Sequence, residues 1–270
     1  MNKIISLLLL VMLFSCKKEN LNEPSYMSIE SINLVDVNAT SNITDAWVYI
    51  DDNLQGVYEL PANFPVLADG IHKLRVKAGI KDNGIASNRI AYPFYSSYII
   101  DEQNFDSKLA IEITPLVNYL YNNDSVFIED FDGPGLNLET DSITFSINDI
   151  NPIDGNYGLI TLTDSIFLSE LRTFKLENLP QAGAPVYLEL DYKCNIQFLV
   201  GVYVNFPGSV LQKDLLWVTP KEDWNKIYVN LTSTISEAVG AESFTVFIGM
   251  KRDFEFDTNT VYLDNLKIVY

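Results

Sequence analysis

The chain has 270 residues, 47% hydrophobic and 12% aromatic, with a formal net charge of −18 at pH 7 and a pI near 4.3. That is length for one or two domains with real cores. The charge excludes nucleic acid as a partner, because phosphate contacts need clustered Lys and Arg, while the surplus of carboxylates serves solubility and leaves oxygen ligands for calcium.

The chain opens with Met1-Asn2-Lys3, then an apolar run from Ile4 to Phe14 broken only by Ser6, then Ser15-Cys16. One cation, a short apolar run and a small residue before Cys make the layout of a secretion signal. The run is shorter than the roughly 20 residues that a bilayer span needs. Leu13-Phe14-Ser15-Cys16 resembles the lipobox of bacterial lipoproteins, in which the Cys becomes the first residue and carries acyl chains. The resemblance implies a signal peptide at residues 1–15 and lipidation of Cys16, followed by a polar tether to residue 27. Each buried methylene is worth about 0.8 kcal/mol, so several chains anchor stably. Lys17-Lys18-Glu19-Asn20 has no Asp next to the Cys. By the same resemblance this points to the outer membrane, with its periplasmic and cell-surface faces both open. The Lys-then-acid order is similar to the surface-export signal of Bacteroidota lipoproteins.

A first β unit is expected over residues 28–117. Ser28–Val37 is strand-like, and two β-rich runs flank Asp51-Asp52-Asn53, a good turn. In Ile71–Ala78 the residues Ile71, Lys73, Arg75 and Lys77 alternate with His72, Leu74, Val76 and Ala78, the pattern of a half-buried strand. Val48–Asp51, Gly56 and Leu67–Gly79 resemble the small PEGA-like, immunoglobulin-type sandwiches of bacterial envelopes, which display or connect and share no common active site.

Residues 118–125 read as a linker, and a second unit spans 126–270. Short β segments recur along it, among them Tyr157–Leu162, Val186–Tyr192, Phe198–Asn205 and Phe244–Met250. Strands at that spacing imply an all-β sandwich. Only Thr232–Val239 suits a helical turn or two. Glu129 and Phe131, Trp224–Leu231 and Tyr262-Leu-Asp-Asn-Leu266 resemble the frame of the jelly rolls found in Bacteroidota lipoproteins and carbohydrate-binding modules. The expected fold is therefore all-β: two β-sandwich domains, Ig-like then jelly roll, after a lipoprotein signal peptide.

Candidate site residues follow. The opening and closing strands of such jelly rolls lie close together, and many hold calcium there. The resemblance therefore makes Glu129, Asp130 and Asp264 the positions for a structural Ca²⁺. The alternative is that Glu129 and Asp264 only hydrogen-bond strand ends. Trp217, Trp224, Tyr203 and Tyr157 are the aromatics that could form a glycan platform. Against this, Trp217 follows Leu215-Leu216 and Trp224 precedes an alternating strand, both of which read first as core. Asp124-Ser125-Val126, Asp141-Ser142-Ile143 and Asp164-Ser165-Ile166 resemble the Asp-Ser/Thr-aliphatic acceptor of Bacteroidota O-glycosylation; ordinary turn chemistry is the alternative. With Cys16 lipidated, Cys194 has no intrachain partner and reads as a buried structural thiol. His72 is the only His, and it lies in no catalytic motif. These observations point to a non-catalytic outer-membrane lipoprotein without cofactor apart from calcium. Its expected role is an accessory subunit docked on an envelope partner such as a β-barrel or secretion component. The alternative is a surface glycan-binding lipoprotein that uses the second sandwich.

Overall fold

A computed structural model describes residues 23–106, 109–120, 126–140, 142–163 and 165–270. Cys16 and Ser125 lie outside these residues. The first sandwich packs two β layers. One layer holds β1 (Ser25–Ile29) between β5 (Ala62–Val66), antiparallel, and β9 (Ala110–Ile113), parallel; beside it β2 (Asn33–Leu34) pairs with β10 (Leu116–Val117). The other layer orders β4 (Asn53–Glu59), β3 (Asp45–Ile50), β6 (Gly70–Lys81) and β7 (Arg89–Ala91), with β8 (Ser97–Phe105) on the same edge of β6 as β7. The β3–β4 hairpin closes through Asp51 and Asp52, both at positive φ, the left-handed backbone of a two-residue turn. Along β6, Leu74, Val76, Ala78 and Ile80 enter the core and Lys73, Arg75 and Lys77 stay outside, as the alternation predicts.

The second sandwich is a jelly roll of two antiparallel sheets. One contains β13 (Phe145–Asn148), β14 (Tyr157–Leu162), β21 (Asn259–Val269), β16 (Tyr187–Cys194) and β19 (Lys221–Asn230), with β11 (Val126–Glu129) beside the far half of β21. The other contains β12 (Leu138–Glu139), β15 (Leu168–Thr173), β20 (Ser243–Lys251), β17 (Phe198–Phe206) and β18 (Ser209–Val218). Leu188, Leu190, Phe198, Val200, Val202, Val246, Ile248 and Leu263 fill the space between the sheets. Among the described residues one short helix, α1 (Thr232–Glu237), falls within the segment whose sequence allowed it, and Ile235 is its buried residue.

The two sandwiches meet across the β16–β19–β21 sheet. The outer face of β16 carries Glu189 and Asp191, cross-strand from Tyr228, Lys226, Lys267 and Asp264. Alone, that face would be solvated. The first sandwich covers it, so six of the eight β16 residues from Tyr187 to Tyr192 are buried in succession, on both faces of the strand. Burying a carboxylate demands donors, and both units supply them. Glu189 accepts from Tyr92 Oη at 2.6 Å and Tyr119 Oη at 3.0 Å, and pairs with Lys226 Nζ at 3.2 Å. Thr40 Oγ1 donates to Asp191 at 2.5 Å, and Tyr228 Oη shares a 2.8 Å hydrogen bond with Tyr95. Farther along, Asn83 N donates to the Tyr228 carbonyl, Asn230 N donates to the Asn83 side chain, and Tyr187 donates to Asp82. Tyr119, expected in a linker, is thus part of the junction.

Glu189→Ala leaves Lys226 buried without its nearest carboxylate. Breaking such a pair costs about 3–5 kcal/mol. Urea unfolding of this variant should show a lowered midpoint and separate transitions for the two sandwiches.

Candidate functional site

The two faces of the jelly roll differ. The outer face of the β12–β15–β20–β17–β18 sheet is not covered by the first sandwich and holds a groove of about 430 Å³. Register builds it row by row. Glu170, Gly249, Leu199 and Trp217 lie side by side on β15, β20, β17 and β18. The next row is Glu139, Arg172, Phe247, Gly201 and Asp214, and Gln212 pairs with Tyr203 beyond it. The floor is low because two rows contain glycine. A Cβ on Gly201 would lie 2.3 Å from the Phe247 ring, so only glycine lets Phe247 lie flat there and pack against Tyr203 at 4.7 Å between centroids. At Gly249 a Cβ would meet nothing closer than 3.7 Å, and the space above it is groove.

Polar groups are fixed around this floor. Glu170 accepts from Tyr203 Oη at 3.0 and 3.2 Å and from the Arg172 guanidinium, which also stands 5.2 Å over the Tyr203 ring. Burial and the adjacent Glu170 carboxylate raise the Tyr203 phenol above its ordinary pKa, so it remains a donor. Gln212 Nε2 donates to Asp214 at 2.8 Å. Trp217 stands at the edge of the groove and is 49% exposed. It is not core, contrary to its position after Leu215-Leu216. A β-bulge opposite Val200 and Gly201 leaves Leu215 out of the ladder. That one-residue slip returns Trp217 to the same outer face as Gln212 and Asp214.

Trp224 is on the opposite sheet, away from Trp217 and Tyr203. It packs edge-on to Tyr157 at 5.8 Å and Tyr262 at 6.5 Å. Lys193 Nζ sits over all three rings, 4.5 Å from the Tyr262 centroid, 5.0 Å from Trp224 and 5.8 Å from Tyr157. The four aromatics singled out in the sequence therefore divide into an open platform with Trp217 and Tyr203 and a lysine-capped cluster with Trp224 and Tyr157.

Both oxygens of Glu129 accept backbone amides, from Phe131 at 2.8 Å and Asn137 at 2.6 Å. Asp130 accepts the Asp132 amide. Asp264 is buried opposite Asp191; one oxygen accepts the Asn265 amide at 2.7 Å and the other has no hydrogen-bond partner among the described residues. Among the described residues no three His, Cys, Asp or Glu side chains form a metal-binding group. Glu129 here ties the end of β11 to the segment that follows it. Ser142 and Ser165 are exposed in turns. Cys194 is buried and free, and burial pushes its thiol up to about 11. His72 shares a 2.6 Å contact with Asp51 and a 3.0 Å contact with the Asp69 carbonyl. Those contacts tie the start of β6 to the β3–β4 turn. Among the described residues no helix is long and apolar enough to cross a membrane.

No family model matches the chain, and no curated protein matches it. Among the solved structures similar to it are carbohydrate-binding-module β-sandwiches. One is a family 11 module from Clostridium thermocellum in complex with a β-1,3-1,4-mixed-linked tetrasaccharide. It shares 14% identity over 53% of this chain and 95% of that one, with a TM-score of 0.37. A family 30 module of a cellulosomal cellulase from the same organism shares 20% identity over 54% and 91%, with a TM-score of 0.38. A module of the β-sandwich superfamily described as promiscuous in specificity shares 13% identity over 92% and 99%, with a TM-score of 0.40. At these identities and scores, the likenesses do not place the chain in any of those families.

Asp264 makes stability depend on pH. Burial, with repulsion from Asp191, Asp132 and Asp130, raises its carboxyl to about 7 against the backbone hydrogen bond that lowers it. The folded state then binds more protons than the unfolded state between about pH 4 and 7, so this contribution is lost as pH rises through that window. Asp264→Asn should flatten the dependence and raise stability at pH 8 by on the order of 1–2 kcal/mol. Urea midpoints measured from pH 4.5 to 8 check this.

Proposed function

We propose that the chain is a non-catalytic, lipid-anchored envelope protein that binds glycans on the open face of its jelly roll. The observation that carries the reading is the half-exposed Trp217 beside a glycine-floored groove with fixed hydrogen-bonding groups. A sugar ring offers an apolar C–H face and a rim of hydroxyls. The first packs on a flat indole, and the second suits carboxylate, amide and guanidinium partners such as Glu170, Gln212 and Arg172. His72, the only histidine, is held by Asp51 with no nucleophile in its hydrogen bonds.

Lipidation of Cys16 would tether this groove at the membrane. The outer membrane is the proposed location, and an accessory role beside an envelope partner is compatible with such an anchor. Cys16→Ser should abolish labelling by radioactive palmitate and release the protein into the soluble fraction.

Glycan binding is tested on an oligosaccharide array, followed by calorimetry on whichever oligosaccharide binds. Trp217→Ala should weaken binding about 10- to 100-fold, the effect of losing a central aromatic anchor. Gly249→Leu should block the groove with little change in thermal stability. Trp224→Ala should leave affinity unchanged. No binding by the native chain, or equal binding by Trp217→Ala, overturns the glycan reading in favour of the accessory-subunit role.

A further inference from the structure

A second cavity, of about 290 Å³, lies where the two sandwiches meet. The first sandwich contributes Asn42, Lys81 and Ile85, and the second contributes Trp217, Lys221 and Asn225. Trp217 therefore borders both this cleft and the groove on the open sheet.

The cleft is held rather than merely left between two units. The Lys81–Ile85 turn is bolted to β19 at Asn83, whose amide donates to the Tyr228 carbonyl at 2.9 Å and whose side chain accepts from Asn230 N at 2.8 Å. Asn83 and Gly84 both adopt positive φ, and Gly84 lies against Ile227. On the other side of the junction, Asn42 donates to the Lys226 carbonyl at 2.8 Å.

Its charge is opposite to that of the chain. Acidic residues outnumber basic ones 36 to 18, yet three lysines and no Asp or Glu line the cleft. Lys226 is consumed by its buried pair with Glu189. Lys81 and Lys221 make no ion pair among the described residues. Carboxamides of Asn42 and Asn225 add neutral donors and acceptors. Of the acids next to these lysines, Asp82 accepts from Tyr187 and Asn88, and Glu222 lies outside the cleft, in an adjoining groove that Lys221 and Lys193 also line.

We infer that the cleft receives an anionic group on the glycan whose neutral part lies on Trp217. This rests on the glycan reading of the groove and specifies its ligand: a sugar chain carrying a carboxylate or a sulfate ester near one end. Lys81 and Lys221 pair with the anion, one from each sandwich, and the junction holds them at a fixed separation from Trp217. The acidic surface elsewhere repels polyanions at long range. Screening over about 8 Å at physiological salt leaves a single local anion free to bind in a lysine-lined cleft.

The test uses the full chain in detergent and an array of neutral oligosaccharides, each printed beside a uronic-acid-ended and a sulfated counterpart. The expected result is at least a tenfold preference for one acidic form over its neutral partner; which form wins identifies the anion. Lys81→Gln with Lys221→Gln should bring acidic and neutral forms to equal affinity, with neutral binding retained. Trp217→Ala should weaken both. Equal binding of neutral and acidic forms by the native chain overturns the cleft assignment alone. An acidic preference that survives in the double Gln variant also overturns it. Binding of no oligosaccharide at all overturns both the cleft and the groove readings.

Discussion

The Glu189 carboxylate, fully buried between the two sandwiches, is the interaction on which the arrangement of this molecule depends. An unpaired carboxylate at that depth would cost several kcal/mol. Its donors come from both units: Lys226 from the jelly roll, and Tyr92 and Tyr119 from the first sandwich and the segment after it. Neither unit alone satisfies the group. The requirement to satisfy it couples their folding and fixes their mutual orientation more tightly than a connecting segment would. Burial and the nearby Glu189 charge raise the Tyr92 and Tyr119 phenols well above their ordinary range, so both remain donors.

From that junction follows the sidedness of the jelly roll. A sandwich has two outer faces, and here one is occupied in part by the first domain. The other sheet stays open, and there Gly201 and Gly249 lower the floor and Trp217 stands at the rim. The same junction brings the Lys81–Ile85 turn to the edge strand β19, next to the end of β18 that carries Trp217. The junction that buries Glu189 thus also forms the lysine-lined cleft beside the exposed platform.

Much of the fold was legible in the sequence, because period-2 alternation and turn residues act locally. The Asp51-Asp52 hairpin, the Leu74–Ile80 stripe of β6 and the short helix after Leu231 all follow from neighbouring residues. What was hidden depended on distant partners. In Tyr187–Cys194 the polar residues Glu189, Asp191 and Lys193 alternate with apolar ones, and alternation alone assigns them to solvent. It cannot register that a second domain lies on top. Trp217 failed for another reason. A bulge of one residue, Leu215, inverts the facing of everything beyond it, and no residue type in the sequence announces where a bulge falls. The groove was accordingly legible only as a set of aromatics, without the register that separates Trp217 from Trp224.

Those two tryptophans show why residue type does not assign a binding platform. Each lies on an outer face of the same sandwich, and each has aromatic or apolar neighbours. Over the rings of Trp224, Tyr262 and Tyr157 sits Lys193, whose ammonium already takes the attractive electrostatic position above the π faces. A sugar would have to displace that cation to stack there. Trp217 has no cation over it among the described residues, and its neighbours are a glycine floor and hydrogen-bonding groups at the groove wall. About half of its indole is exposed among the described residues, so a ligand that covered it would gain that burial. That difference in what already occupies the ring, rather than exposure alone, is why the open sheet is the proposed binding face.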